Sequence, residues 1–184
     1  MTAKQLLRAR IRPLVRAVTP EQKASEAATV FRAIEQSEAF EHAASVMLYY
    51  SLPDELPTHE VVGRWHRMGK VIYLPRVAGD DLEVVRYDGE MNSDNRFHIA
   101  EPTGEALAVN PDLIVVPAVA LDTQCHRMGR GKGFYDRFLH GRPGFKLGVA
   151  LSCQLLDEPL PVEPHDEPLD AVFTARKIVY KNAL

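Results

Sequence analysis

Between Pro111 and Pro117 the chain carries four consecutive apolar residues, Leu113-Ile114-Val115-Val116. The run is too short and too rich in branched side chains for a helix, and it is apolar on both faces, so it reads as a strand buried on both sides. Strands of that kind belong to parallel sheets, whose neighbours are joined by helical crossovers. The rest of the chain supplies the other parts. Val46-Met47-Leu48-Tyr49-Tyr50 and Val71-Ile72-Tyr73-Leu74 are short apolar strands, the second stopped by Pro75. Leu82 to Tyr87 follows a turn at Gly79-Asp80-Asp81, and Leu147 to Leu151 and Ala171 to Phe173 complete the set.

Helical patterns separate these strands. Leu7, Ile11, Leu14 and Val18 recur at helical spacing, with Pro13 predicting a kink or break. Thr19-Pro20-Glu21-Gln22 is a helix start, with a hydroxyl cap, a first-turn proline and Gln22 three residues after the cap; the helix runs to about Ser37. Val61, Val62, Trp65 and Met68 form another stripe that Gly69 ends, and Ser51 to Pro57 is a loop. The expectation is an α/β fold: one three-layer domain over residues 1–184, with a mainly parallel sheet flanked by helices. No repeat, low-complexity tract or linker divides it, and the proline- and acid-rich stretch from Asp157 to Leu169 reads as a surface loop.

Composition narrows the function classes. A formal charge of -3 gives no overall attraction to nucleic acid. No apolar run approaches the roughly 18–20 residues that span a bilayer, and Met1 to Arg16 alternates apolar and basic positions, unlike a secretory signal. The two cysteines, Cys125 and Cys153, lack CxxC spacing and read as reduced thiols. The expectation is a soluble, cytoplasmic monomer acting on a small molecule, with neither nucleic acid nor membrane as partner.

The chemistry concentrates in Arg127-Met128-Gly129-Arg130-Gly131-Lys132-Gly133-Phe134-Tyr135-Asp136. Alternating glycines let backbone amides approach an anion, and Arg127, Arg130 and Lys132 add positive charge in the same place. The loop follows a buried strand and opens a helix through Tyr135, Phe138 and Leu139, at the strand ends where α/β sheets bind ligands. It is not a P-loop, because Gly133 follows Lys132 where a Ser or Thr is required, and its glycine spacing is not that of a dinucleotide fingerprint. The residues alone give an anion or nucleotide site beside a carboxylate; the plain alternative is a solvated surface turn.

The stretch LIVVPAVALDTQCHRMGRGKGFYDRFL resembles the signature of the 5-formyltetrahydrofolate cyclo-ligase family, also called methenyltetrahydrofolate synthetases. Lys4 to Arg8 resembles that family's N-terminal Lys-x-x-x-Arg, YYSLPDELPT its substrate-glutamate loop, and PVEPHDEPLDAVFT its C-terminal block. Met128 replaces a usual leucine, Cys125-His126 stands where a glycine-containing turn is common, and His98 where a glycine is common.

The resemblance implies ATP- and magnesium-dependent ring closure of 5-formyltetrahydrofolate to 5,10-methenyltetrahydrofolate, with ADP and phosphate released. It assigns Lys4, Arg8 and Arg127 to Tyr135 (Met128, Gly129, Arg130, Gly131, Lys132, Gly133 and Phe134 included) to ATP, with Arg130 and Lys132 nearest the transferred phosphoryl group. It assigns Tyr50, Glu55 and Phe97 to the folate, with Arg130, Lys132 and Phe134 also on the substrate side, and Asp136 and Asp170 to magnesium. Two rival readings of the same residues are an isomerase or transferase for a phosphorylated small molecule and a non-catalytic nucleotide- or RNA-binding module using the basic N-terminal helix. His165-Asp166 lacks the further ligands of a metal phosphohydrolase, and Cys153 lacks a base.

Overall fold

The computed structural model describes residues 1–93 and 99–181. In chain order the elements are α1 (Ala3–Ala17), α2 (Pro20–Glu35), α3 (Glu38–His42), β1 (Ser45–Leu48), α4 (His59–Arg67), β2 (Val71–Ala78), β3 (Asp81–Arg86), β4 (Met91–Asn92) and β5 (Glu101–Pro102). There follow β6 (Leu113–Pro117), β7 (Ala120–Asp122), β8 (Arg127–Met128), α5 (Phe134–Leu139), β9 (Phe145–Val149), β10 (Leu155–Leu156), β11 (Ala171–Phe173) and β12 (Ile178–Tyr180).

The main sheet has seven strands in the order β12-β11-β9-β6-β1-β2-β3. The five from β11 to β2 run parallel, and β12 and β3 close the two edges antiparallel. β6 is the middle strand, and every one of its residues is buried. Strand alternation sorts the core into two layers. Val46, Leu48, Leu113, Val115, Ala171 and Phe173 face the side covered by Ile11 and Val15 of α1, Phe31 and Ile34 of α2, and Trp65 of α4. Met47, Ile114, Val116 and Val172 face the other side, packed with Phe138 and Leu139 of α5. The expected three-layer α/β arrangement is what the chain adopts.

The helix starts follow their side-chain chemistry. Thr19 accepts from the Gln22 N–H and the Gln22 side chain accepts from the Thr19 N–H, a reciprocal cap with Pro20 in the first turn. Thr2 and Gln5 repeat the device at α1.

Several local expectations need correction. Pro13 does not break α1, which runs unbroken through it; buried Ile11 and Val15 hold the helix on either side. The buried stripe continues through Val15 rather than Leu14, which is 47% exposed. Pro75 does not stop β2. Tyr87 N–H donates to the Ile72 carbonyl, so pairing alternation places Pro75 opposite Val84 at a position whose nitrogen faces away from β3. On that other side β1 has already ended, its last pair being Met47 with Tyr73, so no ladder bond is lost. Met68 caps α4 and is exposed, β1 ends at Leu48, and β12 is an edge strand that the sequence pattern did not mark.

Candidate functional site

A cavity of about 700 Å³ opens at the carboxyl ends of the central strands. Its wall takes residues after β1 (Asp54, Glu55), from the last residue of β6 onward (Pro117 to Val119) and after β9 (Gln154), together with one face of α1 and the whole loop from Arg127 to Asp136. This is the position at which open α/β sheets place ligands.

The glycine-rich loop does not leave β6 directly. A small sheet, β10-β7-β8, intervenes, and its tight turn is organised by a buried carboxylate. Asp122 Oδ1 accepts from the N–H groups of Gln124 and His126, each at 2.9 Å, while Oδ2 accepts from the Leu160 N–H, also at 2.9 Å. Within that turn Cys125 adopts φ 63°, a left-handed conformation that glycine takes without cost.

Cations from α1 and α5 pack against the loop's glycines. A Cβ on Gly131 would lie 3.4 Å from the Arg8 guanidinium carbon, and one on Gly133 would lie 2.6 Å from Arg137 Nη1. Arg8 Nε also donates to the Gly129 carbonyl at 2.8 Å, tying α1 to the loop. Arg127 is buried: its Nε donates to the Pro117 carbonyl at 2.7 Å, and its guanidinium lies 5.0 Å from the Tyr135 ring centre and 3.9 Å from Asp136 Oδ1. Burial pulls its pKa down, and Asp136 works against that. Lys132 is exposed at the rim, with no side-chain partner among the described residues.

Two acidic groups face these cations. Arg130 makes a two-pronged pair with Asp54, at 3.1 and 2.6 Å, and touches Glu55 Oε1 at 3.1 Å. Glu55 Oε2 accepts from the Leu52 N–H at 2.8 Å. Burial pushes the Glu55 carboxyl above its ordinary range, partly offset by the Leu52 N–H and by Arg130. At the opposite end Lys4 Nζ reaches Glu163 at 2.5 Å and Asp166 at 2.6 Å. Burial pulls the Lys4 ammonium down, but its hydrogen bonds to Asp166 and Glu163 outweigh burial and raise it. His165 lies 3.6 Å from Glu163 and 3.7 Å from Asp166.

The sequence and the fold have counterparts among known proteins. The model of the 5-formyltetrahydrofolate cyclo-ligase family matches residues 1–175. The chain belongs to this family. It is 35% identical over 179 residues to the 5-formyltetrahydrofolate cyclo-ligase of Escherichia coli (strain K12), covering 91% of this chain and 98% of that one. It is 27% identical over 176 residues to a probable 5-formyltetrahydrofolate cyclo-ligase of Schizosaccharomyces pombe, covering 84% of this chain and 86% of the relative. The Aquifex aeolicus 5,10-methenyltetrahydrofolate synthetase superposes with a TM-score of 0.86 at 28% identity, over 100% of this chain and 95% of that one. The Mycoplasma pneumoniae 5,10-methenyltetrahydrofolate synthetase, at 20% identity and a TM-score of 0.73 over 95% of this chain and 99% of that one, shares the fold.

Of the residues matched to the cyclo-ligase signatures, the cavity gathers Lys4, Arg8, Arg127 to Tyr135, Glu55 and Asp136. Tyr50 is not in its lining; its ring stacks on His59 with centres 3.9 Å apart and planes 9° apart. Phe97 and His98 lie outside the described residues. Asp170 is not brought to the cavity either. It precedes β11 at the amino-terminal end of the sheet, where its Oδ2 accepts from the Lys146 N–H at 2.7 Å. The expected pairing of Asp136 with Asp170 around one ion is therefore not what the structure shows.

Asp54 and Glu163 have no role in the sequence reading, and Asp166 enters it only beside His165, not as a partner of Lys4. Asp54 stands beside a residue that was singled out, so adjacency was a usable signal. Glu163 and Asp166 meet Lys4 across more than 150 residues of chain, and no local pattern marks such a pair.

Proposed function

We propose that this cyclo-ligase family member uses ATP with magnesium to close 5-formyltetrahydrofolate to 5,10-methenyltetrahydrofolate, releasing ADP and phosphate. Beside the family match, the observation that carries this reading is one cavity with two chemically distinct walls. A cationic wall of Arg8, Arg127, Arg130 and Lys132 suits a triphosphate, and a buried carboxylate, Glu55, suits a heterocycle with an amidine-like edge.

ATP supplies a phosphoryl group that turns the formyl oxygen into a leaving group, and the folate's own amine then closes the ring. The protein's work is positioning and charge stabilisation, with no side-chain nucleophile needed. Lys132, exposed at the rim on a loop free of bulky side chains, neutralises charge developing on the transferred group. Arg127 is fixed by Pro117 and Asp136 and gives the loop a constant positive floor. Arg8 joins α1 to the same loop. Glu55 accepts from the pterin edge and thereby orients the formyl group toward the phosphates. Lys4 reaches a phosphate only by leaving Glu163 and Asp166.

Magnesium fits one carboxylate of the set. Such an ion keeps several waters and takes only one or two protein carboxylates beside phosphate oxygens. Asp136 lines the cavity and meets that need; Asp170, spent on the Lys146 N–H, does not. In a cell we place the reaction in the cytoplasm, in keeping with two free cysteines.

The test is direct: purified protein mixed with 5-formyltetrahydrofolate, ATP and magnesium should develop the absorbance of the methenyl product, at a rate that depends on all three. No new absorbance with folded protein would overturn the assignment.

A further inference from the structure

Arg130 is shared between two acids of different kind. Asp54 is 55% exposed and takes both guanidinium nitrogens in a parallel pair; Glu55 is 11% exposed and takes one, on the same Nη2 that Asp54 already holds. The Glu55 oxygen that Arg130 touches is Oε1, the one not used by the Leu52 N–H. Each Glu55 oxygen thus already accepts one hydrogen bond, and on Oε1 Arg130 is the group with which a ligand competes.

We propose that Asp54 is a positioning residue: by taking the two-pronged side of Arg130 it keeps the guanidinium from turning its whole fork onto Glu55, and so limits how far Arg130 competes with the pterin while no nucleotide is bound. The inference rests on the reading of Glu55 as the pterin contact and Arg130 as a phosphate contact. Bidentate pairing is the strongest geometry a guanidinium makes with a carboxylate. Without the Asp54 charge, Arg130 has Glu55 as its one remaining side-chain acceptor among the described residues. Glu55 is the more buried acid, so its attraction is the less screened by water. Arg130 then turns its fork onto Glu55 and occupies the oxygen the pterin needs.

Nucleotide changes this balance. Phosphate oxygens compete for the same guanidinium and draw it off both acids, so Glu55 is open whether or not Asp54 is present. The contribution of Asp54 to folate binding thus exists without nucleotide and vanishes with it. A residue that merely shaped the loop would matter equally in both conditions.

The test is calorimetric titration of 5-formyltetrahydrofolate into wild type, Asp54→Asn and Asp54→Glu. Each is run alone and again with a saturating non-hydrolysable ATP analogue and magnesium. Asp54→Asn should bind the folate about three- to fivefold more weakly alone, the scale of an exposed ion pair, and as tightly as wild type with the analogue. Asp54→Glu should restore most of the loss. Equal weakening in both conditions, or none in either, overturns the role of Asp54. A wild type that binds no 5-formyltetrahydrofolate in either condition overturns the substrate reading beneath it.

Discussion

The guanidinium of Arg127 rests where a side chain on Gly129 would begin: a Cβ there would stand 2.8 Å from Arg127 Nη2. The same guanidinium is fixed from behind by the Pro117 carbonyl, so it cannot retreat without breaking a buried hydrogen bond. Gly129 is thus small because a buried cation lies beside it. Gly131 and Gly133 differ: they have φ 98° and 70°, which side chains rarely adopt.

That difference makes Gly129→Ala a test of contact without backbone strain. The variant should fold, with a loss of about 1 kcal/mol for the displaced side chain. Nucleotide affinity should fall about tenfold as Arg127 shifts, equivalent to about 1.4 kcal/mol. Folate affinity measured without nucleotide should stay within about twofold of wild type by the same measure. Unchanged nucleotide affinity would remove Arg127 from the phosphate site.

Glu55 provides a pH prediction. Its folded pKa lies above the ordinary 4.5 because it is buried. The ionised form accepts from the pterin, so folate affinity should fall as pH drops through that raised value. Glu55→Gln should raise the folate Michaelis constant with a smaller effect on ATP, and should flatten this acid limb. Stability has the opposite sign. A raised carboxyl pKa means that the folded state binds the proton more tightly, a contribution present at low pH and lost as pH rises through the folded value. Glu55→Gln should therefore not destabilise the protein at neutral pH, and a large drop in melting temperature would contradict the burial argument.

How much of this was legible in the sequence depended on the range of the interaction. The Thr19-Gln22 cap and the buried β6 run are written in adjacent residues, and the structure has both. The glycine-rich loop opens α5 as its residues imply, but the small β10-β7-β8 sheet that separates it from β6 has no such local mark. Pro75 misled because a proline's cost depends on which neighbour its nitrogen faces, and that neighbour, β1, ends two residues earlier for reasons of tertiary pairing. The turn at Cys125 shows the same dependence. A non-glycine residue at φ 63° is held there by Asp122 and by burial of the thiol, neither of which is visible from the dipeptide Cys125-His126. Burial also pushes that thiol up to about 11, so it is inert rather than reactive.

Lys132 should carry the largest single effect on chemistry. Removing a charge that acts on the transferred phosphoryl group costs roughly 3 kcal/mol of transition-state stabilisation, on the order of a hundredfold in rate. Its side chain is exposed and has no partner among the described residues, so Lys132→Ala should leave the melting temperature within a few degrees of wild type. Lys132→Arg should rescue only in part, because a planar fork does not replace a point charge among close-packed glycines. Single-turnover measurements separate this from binding. Near-normal turnover in the alanine variant would move the role to Arg130 or Arg127.

The two aspartates should behave differently, because the structure gives them different neighbours. Asp136 lines the cavity with its Oδ1 3.9 Å from the Arg127 guanidinium, where a carboxylate can meet a hard cation. Asp170 holds the Lys146 N–H at 2.7 Å, and its own backbone pairs with Lys146 and Lys181, so its carboxylate ties the start of β11 to its neighbours. Asp136→Asn should raise the magnesium concentration needed for half-maximal turnover several-fold and change folate binding little. Asp170→Ala should leave the magnesium requirement alone and lower stability by about 1–2 kcal/mol, the cost of an amide left without its acceptor. Magnesium-titrated activity and thermal unfolding of both variants distinguish the roles. A wild-type magnesium requirement in Asp136→Asn would remove it as a ligand, and a shifted requirement in a fully stable Asp170→Ala would restore Asp170 to the metal site.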